Sequence, residues 1–175
     1  AGLIVSSQGG VTLEGVSLEG TSIDGSLQVT VDSNSDGAET LTVDGTITDV
    51  ATVSIAGSGQ NDIVDINADI VSGGGINIQN IDEIRVADSS LIANGGNINL
   101  DFLVNQVTLD GIGGLVTLQT TNASNDIELP TVIGGPTFDD LTLTSAGTVV
   151  LSGDINVDSA NDLTIVIDNN DDGSE

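Results

Sequence analysis

The chain has 175 residues and a formal charge of −26, because 27 acidic side chains face a single basic residue, Arg85. This charge excludes nucleic-acid binding, which needs Lys and Arg at the phosphates, and it disfavours anionic membrane surfaces. The chain has no Cys, which excludes disulfides and thiol chemistry, whereas its hydrophobic share of 38%, almost all aliphatic, suffices for a packed core.

Short apolar–polar–apolar triplets recur along the chain between Gly, Asn, Asp and Ser, a pattern typical of short strands rather than helices. One series recurs at a mean step of about 23 residues and begins at Leu3, Val29, Val53, Ile76, Ile98, Val116, Leu141 and Leu163. Its polar middle residues predict an outward column, made of Thr30, Ser54, Asn77, Asn99, Thr117, Thr142 and Thr164. Two further series lie between these triplets: Leu41, Ile63, Ile84, Val107, Ile127, Val149, and then Ile47, Ile70, Leu91, Ile112, Val132, Ile155.

The three series predict three short strands per coil. Residues 1–175 are therefore predicted to form one continuous all-β domain, a parallel β-helix (β-solenoid) of about seven coils of roughly 22 residues. The strict six-residue rhythm of left-handed β-helices is missing, and parallel crossovers are generally right-handed, so the coil is predicted to be right-handed. Aliphatic side chains fill its inside, and glycines stand at its corners.

The sequence also contains a repeat that is longer than one coil. Residues 3–15 resemble 141–153, and the octapeptide at 32–39 matches the one at 168–175. The match predicts a module of about 137 residues, with a first copy at 3–140 and the start of a second copy at 141–175. The alternative is that any two coils of one solenoid resemble each other.

The coil at 147–157, Gly-Thr-Val-Val-Leu-Ser-Gly-Asp-Ile-Asn-Val, and the segment at 41–47, Leu-Thr-Val-Asp-Gly-Thr-Ile, resemble a known family. They are similar to the filamentous-haemagglutinin-type repeats of giant bacterial exoproteins. The resemblance extends over nearly the whole chain and lies in the recurring Gly-Thr-Val-Leu pattern rather than in one specific motif. It implies a right-handed β-helix, export to the cell surface, and a role in adhesion, biofilm or filament formation.

The octapeptides D-x-N-x-D-G-x-E are the sharpest local signal. Calcium prefers six to eight oxygen ligands, and alternating Asp and Asn before a turn-forming Gly can wrap a cation. The candidate ligands are Asp32, Asn34, Asp36 and Glu39 in the first loop and Asp168, Asn170, Asp172 and Glu175 in the second. An EF-hand is excluded, since Val43 stands at position 12. Asp, Asn and Gly also make plain turns, so a corner without a metal remains the alternative.

Carboxylate pairs such as Asp62 and Asp65 imitate the two-carboxylate site of a glycosidase, but a chain without Trp, Tyr or His offers little to grip a sugar or move a proton. We therefore expect no enzyme activity and no catalytic residues.

The sequence predicts a structural module of an extracellular or cell-surface filament or adhesin stalk, with copies of itself as partners and divalent cations as further partners. No apolar run reaches membrane-spanning length, so membrane insertion is not expected. The alternative is a calcium-dependent adhesin module that binds glycans or surfaces.

Overall fold

The computed structural model describes residues 2–18, 25–58, 61–87, 89–101, 106–109, 115–121, 125–129, 132–134, 140–156 and 162–167. Every regular element in these ranges is a β-strand, which confirms the all-β prediction. Within the same ranges, no helix is long and apolar enough to cross a membrane.

The strands form three seven-stranded parallel sheets. The first sheet contains β1 (Leu3–Ser6), β4 (Ser26–Thr30), β7 (Thr52–Ala56), β10 (Ile76–Gln79), β13 (Ile98–Asp101), β16 (Ile127–Leu129) and β19 (Val149–Leu151). The second contains β2 (Val11–Leu13), β5 (Thr40–Val43), β8 (Ile63–Ile66), β11 (Glu83–Val86), β14 (Gln106–Leu109), β17 (Val132–Gly134) and β20 (Ile155–Asn156). The third contains β3 (Val16–Ser17), β6 (Ile47–Val50), β9 (Ile70–Ser72), β12 (Ser90–Ala93), β15 (Leu115–Thr120), β18 (Asp140–Thr144) and β21 (Asp162–Val166).

Consecutive strands lie on different sheets, and each strand from β1 to β18 pairs in parallel with the strand three places later. Three strands therefore make one coil, and the coils stack into a β-solenoid. This confirms the parallel β-helix and its three strands per coil. The right-handed twist and the count of seven complete coils stay predictions.

The core is a stack of aliphatic side chains inside the coil, because strand alternation turns every second residue inward. In β7, for example, Val53 and Ile55 are buried while Ser54 lies on the outer face. The largest fully buried side chains are Leu27, Leu41, Ile47, Ile55, Ile66, Ile70, Ile76, Ile78, Ile81, Ile84 and Leu91.

The predicted first series is wrong beyond Ile98, because it changes sheet there. Ile98 pairs with Ile127 rather than with Val116, and the strand that contains Val116 belongs to the third sheet. The stretch from β13 to β16 is longer than the mean step, so a uniform period assigns its strands to the wrong sheets. The other two series shift in the same way: Ile127 and Val149 lie on the first sheet, and Val132 and Ile155 on the second. Ile112 lies outside the described residues.

The predicted outward column is consequently two columns. Ser54, Asn77 and Asn99 follow one another on the first sheet, whereas Thr117, Thr142 and Thr164 follow one another on the third. Thr30 belongs to neither, since it pairs with Ser6 and Ala56 and the triplet of β4 is shifted by two residues, with Leu27 opposite Val53.

The prediction that Ile63 of β8 faces the core is also wrong. Leu41 pairs with Val64, so Val64 points into the core and Ile63 lies half-buried on the other phase of β8. Where two aliphatic residues are adjacent, the sequence does not show which of them faces the core. The pairing with the neighbouring strand determines it.

Candidate functional site

The acidic loop, residues 32–39, connects β4 to β5 and was the predicted calcium site. Asp32 and Ser35 adopt left-handed backbone angles, with φ of 49° and 57°, so the chain turns sharply directly after the strand. The Asp36 N–H donates to Asp32 Oδ1 at 3.2 Å, and the Ser35 N–H donates to the Asp32 carbonyl at 3.0 Å. Asp32 thus closes its own turn, as Asp does in many tight turns.

Asp32 is completely buried, and so is Asp62 in the next coil. Both carboxylates contact Ser58: its Oγ lies 2.7 Å from Asp32 Oδ2 and 3.2 Å from Asp62 Oδ2. The Ser58 N–H also donates to Asp62 Oδ2 at 2.7 Å, and the Glu39 N–H donates to Asp62 Oδ1 at 3.2 Å. Because a hydroxyl has one proton, Ser58 Oγ serves one carboxylate at a time. We call these three residues the Asp32–Ser58–Asp62 cluster.

The pKa of Asp32 lies below its ordinary value. The hydrogen bond from the Ser58 hydroxyl is the largest cause, and the N–H groups of residues 36, 37 and 35 add to it. Burial raises the pKa, but these hydrogen bonds outweigh it. Asp32 is therefore a buried anion held by donors of the corner.

The structure does not bring the four ligands of the first loop to a common point. The oxygens of Asp32 are engaged within the corner, and Asn34 Nδ2 donates to Asp36 Oδ2 at 2.6 Å on the exposed side of the loop. Glu39 Oε2 lies over Gly10 of the preceding coil. Among the described residues, no group of three or more His, Cys, Asp or Glu could hold a metal ion. The second set, Asp168, Asn170, Asp172 and Glu175, lies outside the described residues. Calcium binding stays a prediction.

Several Asp and Asn side chains at the corners have a structural role that sequence reasoning missed. Each stands directly before a strand or at its first residue, and its Oδ1 accepts a backbone N–H from a neighbouring coil at 2.8–3.2 Å. The acceptors are Asp62, Asp69, Asn97, Asp126 and Asp140. The signal in the sequence is an Asp or Asn immediately before an aliphatic strand residue.

The outward acids have other neighbours. Arg85 lies on the outer face of β11, and its guanidinium contacts Glu83 Oε2 at 3.1 Å. In strand register Arg85 is opposite Asp65. The carboxylate pair Asp62 and Asp65 is therefore divided between a buried corner and an outer face.

A shallow cavity of about 110 Å³ lies on the outer face of the first sheet. It is lined by Asn97, Ile98, Asn99, Asp126, Glu128 and Val150. Asn99 Oδ1 is buried without a hydrogen-bond partner in the described part of the chain. The cavity is well below the volume of about 300 Å³ at which small-molecule sites begin.

The two ends of the solenoid expose aliphatic side chains. On the inward phase these are Leu3 of β1 at one end and Leu151, Leu163 and Ile165 at the other, while Ile4, Val150 and Val166 are exposed on the outward phase. Solenoids expose unpaired strand edges and core side chains at their ends, so these surfaces are candidate contact sites.

Comparison with known proteins gives no relative: no family model, no curated protein and no solved structure matches the chain.

Proposed function

We propose that the chain is a non-enzymatic structural module of an extracellular or cell-surface β-solenoid filament or adhesin stalk. In this proposal the solenoid is right-handed, has about seven coils, and continues end to end through tandem copies or stacked subunits. Its cell-surface location rests on the resemblance to filamentous-haemagglutinin-type repeats. The fold is consistent with a structural repeat module.

The observation that carries the proposal is the open core at β21. Leu163 and Ile165 are 39% and 43% exposed, whereas Leu141 and Leu143, which they follow in register on β18, are 1% and 0% exposed. The same inward column is thus covered on β18 and exposed on β21. A further strand that paired with β21 would bury it.

The charge of the chain favours growth along the axis over lateral clumping. At −26, the sides of two rods repel each other, while backbone pairing and aliphatic contacts act at the ends. A contact between two different ends is heterologous, and repeated heterologous contacts produce open filaments.

A second candidate is a calcium-dependent adhesin module that binds glycans or surfaces. The observation that favours it is the position of Asn34 and Asp36 on the exposed side of the acidic loop. There, a divalent cation could bridge the loop to a ligand or to a neighbouring rod.

The filament proposal is tested by sedimentation velocity and electron microscopy over a range of chain concentrations, with and without Ca²⁺. We expect rods that lengthen with concentration. Ile165→Lys places a charge in the open core and should reduce elongation, because its partner strand would have to bury that charge. Thr164→Lys, on the outward phase of the same strand, is the matched control and should leave elongation unchanged.

A chain that stays monomeric at every concentration, with the amides of both end coils protected from hydrogen exchange by its own residues, would contradict the proposal. Equal effects of Ile165→Lys and Thr164→Lys would show that charge, rather than the open core, governs association.

A further inference from the structure

The internal sequence repeat has a structural counterpart in two strand pairs. β1 pairs with β4 so that Leu3 is opposite Leu27, and β18 pairs with β21 so that Leu141 is opposite Leu163. The two copies of the repeat therefore correspond in strand pairing as well as in sequence.

The hydrogen bonds at the corner after these strands also repeat. The Ser7 N–H donates to the Thr30 carbonyl at 3.0 Å, and the corresponding Ser145 N–H donates to the Val166 carbonyl at 2.8 Å. The hydroxyls of Ser7 and Ser145 each accept the N–H of the glycine two residues later, at 3.2 and 3.3 Å. A similar Ser–Gly corner occurs at Ser72, so the features specific to the repeat are the strand pair and the backbone hydrogen bond between coils.

The two copies lie on different faces of the solenoid. β1 belongs to the first sheet, but its counterpart β18 belongs to the third; β2 moves from the second sheet to β19 in the first, and β4 moves from the first to β21 in the third. A whole number of coils would return each strand to its own sheet. The repeat is one strand shorter than that, so the second copy is turned by one face about the axis.

In the first copy, the coil at 40–56 covers the strands whose counterparts are open at the end. Its strand β5 pairs with β2, with Leu41 opposite Val11, and β7 pairs with β4, with Val53 opposite Leu27 and Ile55 opposite Val29. Leu27 and Val29 are 0% and 1% exposed under this coil. Their counterparts Leu163 and Ile165 are 39% and 43% exposed.

We propose that the end surface formed by β19, β20 and β21 is a docking site for one further coil with the sequence pattern of residues 40–56. The equivalents of Leu41, Val53 and Ile55 would lie opposite Val149, Leu163 and Ile165. Residues 168–175 correspond in sequence to 32–39, the segment that leads from β4 into this coil in the first copy. This inference rests on the proposed function, since it names the segment that continues the filament.

Each successive copy turns by one face, so equivalent loops, including the acidic loop, appear on the three faces in rotation. A filament of such copies presents its acidic loops around the whole rod rather than along one side.

The test appends a copy of residues 40–58 after Glu175 of the full chain. The chain has no Cys, so Ile165→Cys provides a single thiol on the open core. Its rate of reaction with a water-soluble thiol reagent is measured in the extended and unextended chains, at a dilution where sedimentation shows monomers. Two controls are an extension of the same residues in scrambled order and the variant Thr164→Cys on the outward phase of β21.

We expect the native-order extension to slow the reaction at position 165 by about tenfold or more, because a thiol in a packed core reacts only through local opening. The scrambled extension should not slow it, and Thr164→Cys should react equally fast in all chains. Equal rates with native and scrambled order would overturn the proposal. The proposal would also be overturned if, at higher concentration, the thiol at position 165 of the unextended chain reacted as slowly as in the extended chain. A second copy of the chain would then be the occupant of the end surface. Since the native and scrambled extensions are compared on monomers, that comparison is independent of whether the chain forms filaments.

Discussion

A carboxylate can be buried in this fold where a corner supplies it with hydrogen-bond donors, and Asp32 is the clearest case. Its oxygens accept bonds from the Asp36 N–H and the Ser58 hydroxyl, and Asp62 completes the cluster from the next coil. The sequence places an Asp in a turn but gives no sign that it is buried, because the Ser58 hydroxyl, which forms its strongest hydrogen bond, is 26 positions away in the chain. Contacts between coils of irregular length cannot be predicted from a local pattern.

The lowered pKa of Asp32 predicts a dependence of stability on pH. A carboxyl whose folded-state pKa is depressed stabilises the fold above its unfolded value of about 3.9, and this contribution is lost as the pH falls through the lower folded-state pKa. Asp32→Asn should therefore be less stable than the parent chain at pH 7, and the difference should shrink at acidic pH. Thermal melts between pH 7 and 2 measure it, with the exposed Asp154→Asn as control. A constant difference over this range would contradict the role given to Asp32.

Ile78 gives a second prediction at the residue scale. It is fully buried in β10, so Ile78→Asp places a carboxylate in an aliphatic stack without a donor. We expect a loss of about 3 kcal/mol or more in the free energy of unfolding. The adjacent Asn77→Asp, on the outward phase, adds the same charge and should change it by about 1 kcal/mol or less. Equal effects in chemical denaturation would mean that position 78 does not face the core.

At the scale of the elements, the sequence predicts the strands better than their partners. The aliphatic triplets correctly indicate an all-β solenoid with three strands per coil. The assignment of strands to sheets fails after Ile98, because the next strand of its sheet begins at Ile127 and a mean period cannot detect one long coil. The failed series linked Leu3 with Leu141 and Leu163. In the internal repeat, whose second copy is turned by one face, Leu141 corresponds to Leu3, whereas Leu163 corresponds to Leu27.

Glycine corners set how closely adjacent coils approach. A Cβ at Gly96 would lie 2.5 Å from the backbone nitrogen of Gly75 in the preceding coil, whereas a Cβ at Gly37 would meet nothing within 4 Å. Gly96→Ala should therefore force the two coils apart and cost about 1–3 kcal/mol of unfolding free energy. Gly37→Ala is the matched control and should stay within about 0.5 kcal/mol of the parent. A Gly96→Ala variant as stable as this control would mean that the corner can relax without loss.

For the whole molecule, the charge of −26 and the open ends act in opposite directions. Repulsion among the acids opposes both compactness and the approach of a second chain, while the exposed core of β21 favours a further strand. Cations that screen the acids should strengthen both folding and elongation. Any stabilisation by calcium must therefore be separated from screening, which acts without a specific site.

Melting temperatures at matched ionic strength separate calcium binding at the acidic loop from screening. Calcium bound by the acidic loop in the folded state only, at about 100 times its dissociation constant, would add about 2.7 kcal/mol to the free energy of unfolding. The parent chain should then melt at a higher temperature in Ca²⁺ than in chelator with Na⁺ at matched ionic strength. Asp36→Ala, on the exposed side of the loop, should abolish the difference, whereas the exposed Asp154→Ala removes the same charge elsewhere and should preserve it. Equal melting temperatures of the parent chain in both buffers would exclude the site. A calcium effect that survives Asp36→Ala would place the cation at other acids of the rod.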